Sequence, residues 1–158
     1  MPVSQLSQVQ RSVSIRAPRS RVWSALSEIG QFCKWFSAEP FDPGAVFAPG
    51  ARVRMLSTHE GPCYKQEFSV DIVDMVPERT LSWRWHPGVQ VPGEDLTDEP
   101  TTLVEFHLED AADGTLVTVV ESGFDRIFAN RRARVFEEND GGWKFQMASL
   151  ERYLSEPR

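Results

Sequence analysis

Few residues in this chain combine a reactive side chain with a setting in which it could do chemistry. There are three histidines, His59, His86 and His107, and two cysteines, Cys33 and Cys63. Neither cysteine belongs to a CxxC pair or stands near paired histidines, so neither a metal site nor a disulfide framework is expected. Strand parity places the histidines. Side chains at i and i+2 share a face of a strand, so each strand's apolar set marks its inward face. In 102–109 that set is Val104, Phe106 and Leu108, leaving Glu105, His107 and Glu109 outside. In 80–86 it is Leu81, Trp83 and Trp85, leaving Arg84 and His86 outside. His59 falls in a turn beside Gly61 and Pro62. With all three histidines outward, no Ser-His-Asp or Cys-His nucleophile can be assembled. No catalytic residue, metal ligand or cofactor is assigned.

Glu121 is the exception. It shares parity with Val117 and Val119, so it points inward or at the rim. A carboxylate in an apolar cavity has its pKa raised and can serve as a general base or a ligand anchor. In the other reading the strand is already leaving the sheet, and Glu121 is hydrated or paired with an arginine. Both readings stay open at this stage.

The elements that would position Glu121 follow from hydrophobic periodicity. Residues 9–16 alternate, with Val9, Val13 and Ile15 on one face. Ala17-Pro18 breaks that strand and starts a helix, along which Val22, Ala25, Leu26 and Ile29 recur at helical spacing. Gly30 is expected to end it, and Phe32, Trp35 and Phe36 mark a second short helix. Residues 38–50 carry three prolines and two glycines and read as loop. Strand patterns follow at Val53 and Met55, at Phe68, Val70 and Ile72, then in 80–86, 102–109 and 115–122. Asp113-Gly114 signals a hairpin between the last two.

Residues 86–100 hold three prolines, two glycines and four carboxylates, and read as an irregular, mobile segment poised to gate a pocket. Beyond the strands the period changes. Trp143, Met147, Leu150 and Leu154 form one apolar stripe on a C-terminal helix that Asn139 or Asp140 would cap. Residues 125–137 also read as helical, and the cluster Arg131, Arg132 and Arg134, followed by Glu137 and Glu138, reads as a solvated face.

Composition bounds the rest. The 158 residues suit a single domain, with its core at about 9–156, and the net charge of −6 argues against nucleic acid or an anionic membrane surface as partner. Without a signal-peptide pattern or a membrane-length apolar run, the expected location is the cytoplasm. Strand, two helices, five or six strands and a helix make an α+β chain. Its antiparallel sheet has one face to bury, and only the C-terminal helix can cover it.

Several phrases in this order resemble the START-like (SRPBCC) superfamily, most closely the activator of heat-shock protein 90 ATPase homologue family. They are Ile15-Arg16-Ala17-Pro18 followed by Val22-Trp23 and Leu26, then Lys34-Trp35-Phe36, then Leu81-Ser82-Trp83-Arg84-Trp85. Glu121-Ser122-Gly123-Phe124 comes next, and Gly142-Trp143 opens a helix containing Leu150 and Tyr153-Leu154. The resemblance implies a helix-grip fold: a curved antiparallel sheet of about six or seven strands wrapped on a long C-terminal helix, with two short helices after the first strand. It also implies a hydrophobic cavity. Where bacterial relatives often carry His or Thr before the Ser-Gly pair, this chain carries Glu121. Fold alone does not decide among ligand carriers, co-chaperone domains and polyketide cyclase or dehydratase enzymes.

The reading that fits best is a module binding a small hydrophobic or aromatic ligand, with a chaperone or other protein as the alternative partner. The expected pocket residues are Trp35, Met55, Phe68, Trp83, Trp85, Phe106, Val119, Glu121, Trp143 and Met147, a mostly apolar set with one polar group.

Overall fold

A computed structural model describes residues 7–59, 61, 65–89 and 91–155, so Cys63 lies outside the described residues. Strand β1 (Gln8–Ile15) leads into helices α1 (Arg19–Ser27) and α2 (Ile29–Phe36). Strands β2 (Ala38–Pro40), β3 (Arg52–Ser57), β4 (Glu67–Val76), β5 (Thr80–Trp85), β6 (Thr102–Ala111) and β7 (Gly114–Ser122) follow. After one 3₁₀ turn at Phe124–Arg126 the chain ends in helix α3 (Ala129–Ser155). The seven strands form one antiparallel sheet in the order β1-β7-β6-β5-β4-β3-β2. Its curved inner face packs on the long helix: this is the helix-grip fold.

The strand faces obey the period of two. Val104, Phe106 and Leu108 of β6 and Val117 and Val119 of β7 are buried, while His107 on the opposite face is partly exposed. His59 and His86 are exposed as well. β1 carries one inward residue outside its apolar set, Arg11, which reaches α3 and bonds Asp140 at 2.9 Å. The tight β6–β7 hairpin needs Gly114, because any Cβ there would run into the backbone carbonyl of Ile15.

Several expectations are corrected. Gly30 does not end α1; Glu28, in an extended conformation, separates the two helices, and Gly30 lies inside α2. The loop-like 38–50 stretch contains the edge strand β2, whose Pro40 is tolerated where no further strand pairs. Helix α3 is one unbroken element of 27 residues, about 40 Å long. Asn139 and Asp140 therefore sit mid-helix and cap nothing. Each glycine of the Gly141-Gly142 pair costs a helix about 1 kcal/mol relative to alanine. The burial of Val135, Trp143, Met147, Leu150 and Leu154 on either side of that pair outweighs the penalty.

The arginine cluster and the acidic segment are corrected together. Arg131 is not solvated: its side chain is 3% exposed, and it bonds Glu99 at 3.1 Å and Glu94 at 2.8 Å. Arg134 bonds Glu94 at 2.8 Å. Burial alone would lower the Arg131 pKa, but its bonds to Glu99 and Glu94 outweigh that and raise it. Gly88 N–H donates to Asn139 Oδ1 and Val89 N–H to Glu138 Oε1, both at 3.0 Å. Glu94 and Glu99 thus fasten the segment to α3. It is a packed strap, because these two carboxylates meet their counter-charges across tertiary contacts that sequence spacing does not reveal.

Candidate functional site

Aromatic rings fill most of the space between sheet and helix. Trp83 packs edge-on to Phe32 at 5.7 Å and lies 5.3 Å from Phe106, and Trp35 packs edge-on to Phe32 at 5.1 Å. Trp35 also donates its indole N–H to Ala25 O at 2.8 Å, which satisfies it as a core residue. Near β4 and the middle of α3 the sheet diverges from the helix and a cavity of about 370 Å³ opens. Phe36, Phe68, Trp85 and Trp143 form its inner wall, with neighbouring ring centroids 5.9–6.2 Å apart. At the mouth the His59 ring lies tilted against Phe145, with centroids 4.6 Å apart. Gly88, Val89, Glu138 and Asn139 contribute the side where the strap meets α3.

Behind that wall lies Glu121, fully buried. The register of β5, β6 and β7 sets Glu121 opposite Val104 and Trp85 opposite Thr102, which brings Trp85 and Thr102 beside the carboxyl group. Trp143 and Asn139, one helical turn apart on α3, approach from the other side. Oε1 accepts from Trp143 Nε1 and Asn139 Nδ2, each at 2.8 Å. Oε2 accepts from Trp85 Nε1 at 2.8 Å and from Thr102 Oγ1 at 2.5 Å.

Four donors match the acceptor sites of a carboxylate, so the group is fully satisfied. Among the described residues no cation joins them: Arg54, on the outer face, bonds Glu67 instead. Burial raises the Glu121 pKa above the ordinary carboxyl value, and the four hydrogen bonds only partly offset it. Of the two readings left open, the inward one holds: Glu121 is 0% exposed and its hydrogen-bond partners are protein donors.

Of the ten expected pocket residues, Phe68, Trp85 and Trp143 line the cavity. Trp35, Met55, Trp83, Phe106, Val119 and Met147 do not; they are core, 3% exposed or less, with their space taken by each other. Glu121 stands one layer behind, touching the cavity only through Trp85, Trp143 and Asn139. Sequence reasoning missed His59, Phe145, Glu138 and Asn139. The missed α3 residues lie between stripe positions, and the signal that could have found Asn139 is its spacing of four from Trp143. Among the described residues no three His, Cys, Asp or Glu side chains gather to hold a metal, and no helix is long and apolar enough to cross a membrane. Cys33 is half-buried, and burial pushes its thiol up to about 11, which keeps it protonated and unreactive at neutral pH.

Residues 16–155 match the family described as activator of Hsp90 ATPase homolog 1-like protein. The chain belongs to that family. No curated protein matches it in sequence. Solved structures share its fold. Protein MLL2253 from Mesorhizobium loti is 24% identical with a TM-score of 0.70, the alignment covering 95% of this chain and 99% of that one. The Aha1 dimer from Colwellia psychrerythraea is 16% identical with a TM-score of 0.67, covering 93% and 95%. DynU16, a putative protein in the dynemicin biosynthetic locus, is 24% identical with a TM-score of 0.68. That alignment covers 94% of this member of the activator homologue family and 47% of DynU16, so the chain spans about half its length.

Proposed function

We propose that this chain is a single cytoplasmic domain that binds a small hydrophobic or aromatic molecule in the cavity between sheet and helix. The observation that carries the reading is the roughly 370 Å³ opening walled by Phe36, Phe68, Trp85 and Trp143. Ligand sites are commonly of this size, apolar, with a few polar groups at one side. Catalysis is disfavoured by the chemistry of Glu121. Its acceptor positions are all taken by protein donors, so none is free for a substrate proton or a water.

A test follows from Gly142, which lines the cavity and has open space where a Cβ would stand. A panel of flavonoids, polyketide-like aromatics and fatty acids would be screened by thermal shift and by quenching of Trp85 and Trp143 fluorescence, with wild type and Gly142→Leu. Ligands held only by the native state raise its melting temperature. The expected result is stabilisation and quenching in wild type, both lost in Gly142→Leu. A panel without a hit, or hits unaffected by Gly142→Leu, would remove the cavity from the function.

A further inference from the structure

We propose that the cavity selects aromatic ligands bearing a positive charge, such as a quaternary ammonium or a protonated amine, over neutral and anionic ones. The inference rests on the ligand-binding reading above and adds the chemical class of the ligand. Its first support is what the lining holds. Among the described residues five aromatic rings, Phe36, Phe68, Trp85, Trp143 and Phe145, line the cavity, and neither lysine nor arginine does. The electron-rich faces of such rings attract a desolvated cation, indole most strongly.

The second support is charge. Among the described lining residues Glu138 is the one carboxylate, and its counter-ion is only partly its own. Arg134 stands 3.5 Å from Glu138 but 2.8 Å from Glu94, and Arg131 is taken by Glu94 and Glu99. Three carboxylates thus share two guanidinium groups beside the cavity. An anion entering here meets Glu138 and, among the described lining residues, no lysine or arginine, whereas a cation supplies a further partner for that carboxylate.

The third support is the arrangement behind the wall. The indole N–H groups of Trp85 and Trp143 both donate to the Glu121 carboxyl group. An acceptor at the N–H end draws positive character out of each indole and leaves its face more negative. Both indole N–H groups are thereby occupied by Glu121, and the two rings line the cavity as apolar surface.

The experiment compares three probes on one naphthalene frame: 2-naphthylmethyl-trimethylammonium, 2-naphthylmethanol and 2-naphthoate. Each is titrated by calorimetry into wild type and Glu138→Gln, whose amide oxygen still accepts the Val89 N–H. In wild type the cation should bind about tenfold or more tighter than the anion, with the alcohol between. In Glu138→Gln that advantage should fall several-fold. The alcohol or naphthoate binding as tightly as the cation would overturn the inference while leaving ligand binding intact. An advantage unchanged in Glu138→Gln would overturn the role of the charge surplus. Absence of binding by all three would overturn both this inference and the reading beneath it.

Discussion

Replacing Arg131 with methionine should destabilise the protein by about 3 kcal/mol, because it strands a buried charge. The Glu99 side chain is 0% exposed, and both its oxygens face Arg131 Nε, at 3.1 and 3.3 Å. Without the guanidinium, Glu99 keeps only the Phe128 N–H at 3.1 Å, while Glu94 keeps Arg134. The carbonyl of Pro87 also loses its donor. Breaking one side of a buried ion pair costs about 3–5 kcal/mol; methionine refills much of the volume, so the lower end applies. Changing Glu99 to glutamine in the same chain removes the stranded charge, and the double variant should recover most of the loss, ending within about 1 kcal/mol of wild type. Urea unfolding followed by tryptophan fluorescence measures all four members of the cycle. A loss below about 1 kcal/mol for Arg131→Met, or no recovery on adding Glu99→Gln, would refute the claim that the pair is buried. The same variant should loosen the strap, so hydrogen exchange at Gly88 and Val89 should accelerate.

Further outcomes are expected elsewhere. Trp143→Ala should cost about 3–5 kcal/mol in a urea melt, since it deletes a buried indole and leaves Glu121 short of a donor. Gly142→Ala should instead raise stability by about 0.5–1 kcal/mol, because a Cβ at this helical glycine would stand in open space. The raised pKa of Glu121 means that its contribution is fully present below the ordinary carboxyl value of 4.5 and is lost as pH rises through the folded value. Wild type minus Glu121→Gln should therefore favour wild type most at low pH and shrink on alkalinisation; a difference that grows with pH would show the four donors outweighing burial. Glu94 runs the other way. Burial alone would raise its pKa, but the Val91 N–H, Arg131 and Arg134 hold it below the ordinary value. Its stabilisation is present above 4.5 and should disappear as acid protonates it, which unfolding midpoints measured between pH 6 and pH 3 would reveal.

Much of this protein is decided by local pattern. Alternation in 102–109 and 115–122 sets which residues face the helix, because the pleat allows only two faces and water excludes one of them from Val104, Phe106, Val117 and Val119. The same parity turns Glu121 inward and His107 outward, and the stripe from Trp143 to Leu154 selects the helix that covers the sheet. Other features needed the tertiary structure. Sequence separates residues 125–137 from 143–154, yet burial of Val135 and Trp143 on one surface joins them through two glycines into a single helix. Apolar character cannot distinguish a ring that fills the interior from one that borders a void: Trp83 and Trp85 share a strand face, but only Trp85 lies where sheet and helix diverge. Charge fate is equally non-local. Arg131 stands amid charged neighbours that look solvated, and Glu94 and Glu99, more than thirty positions earlier, bury it. Long-range pairing of that kind costs chain entropy that only the assembled core repays, so no window of sequence contains it.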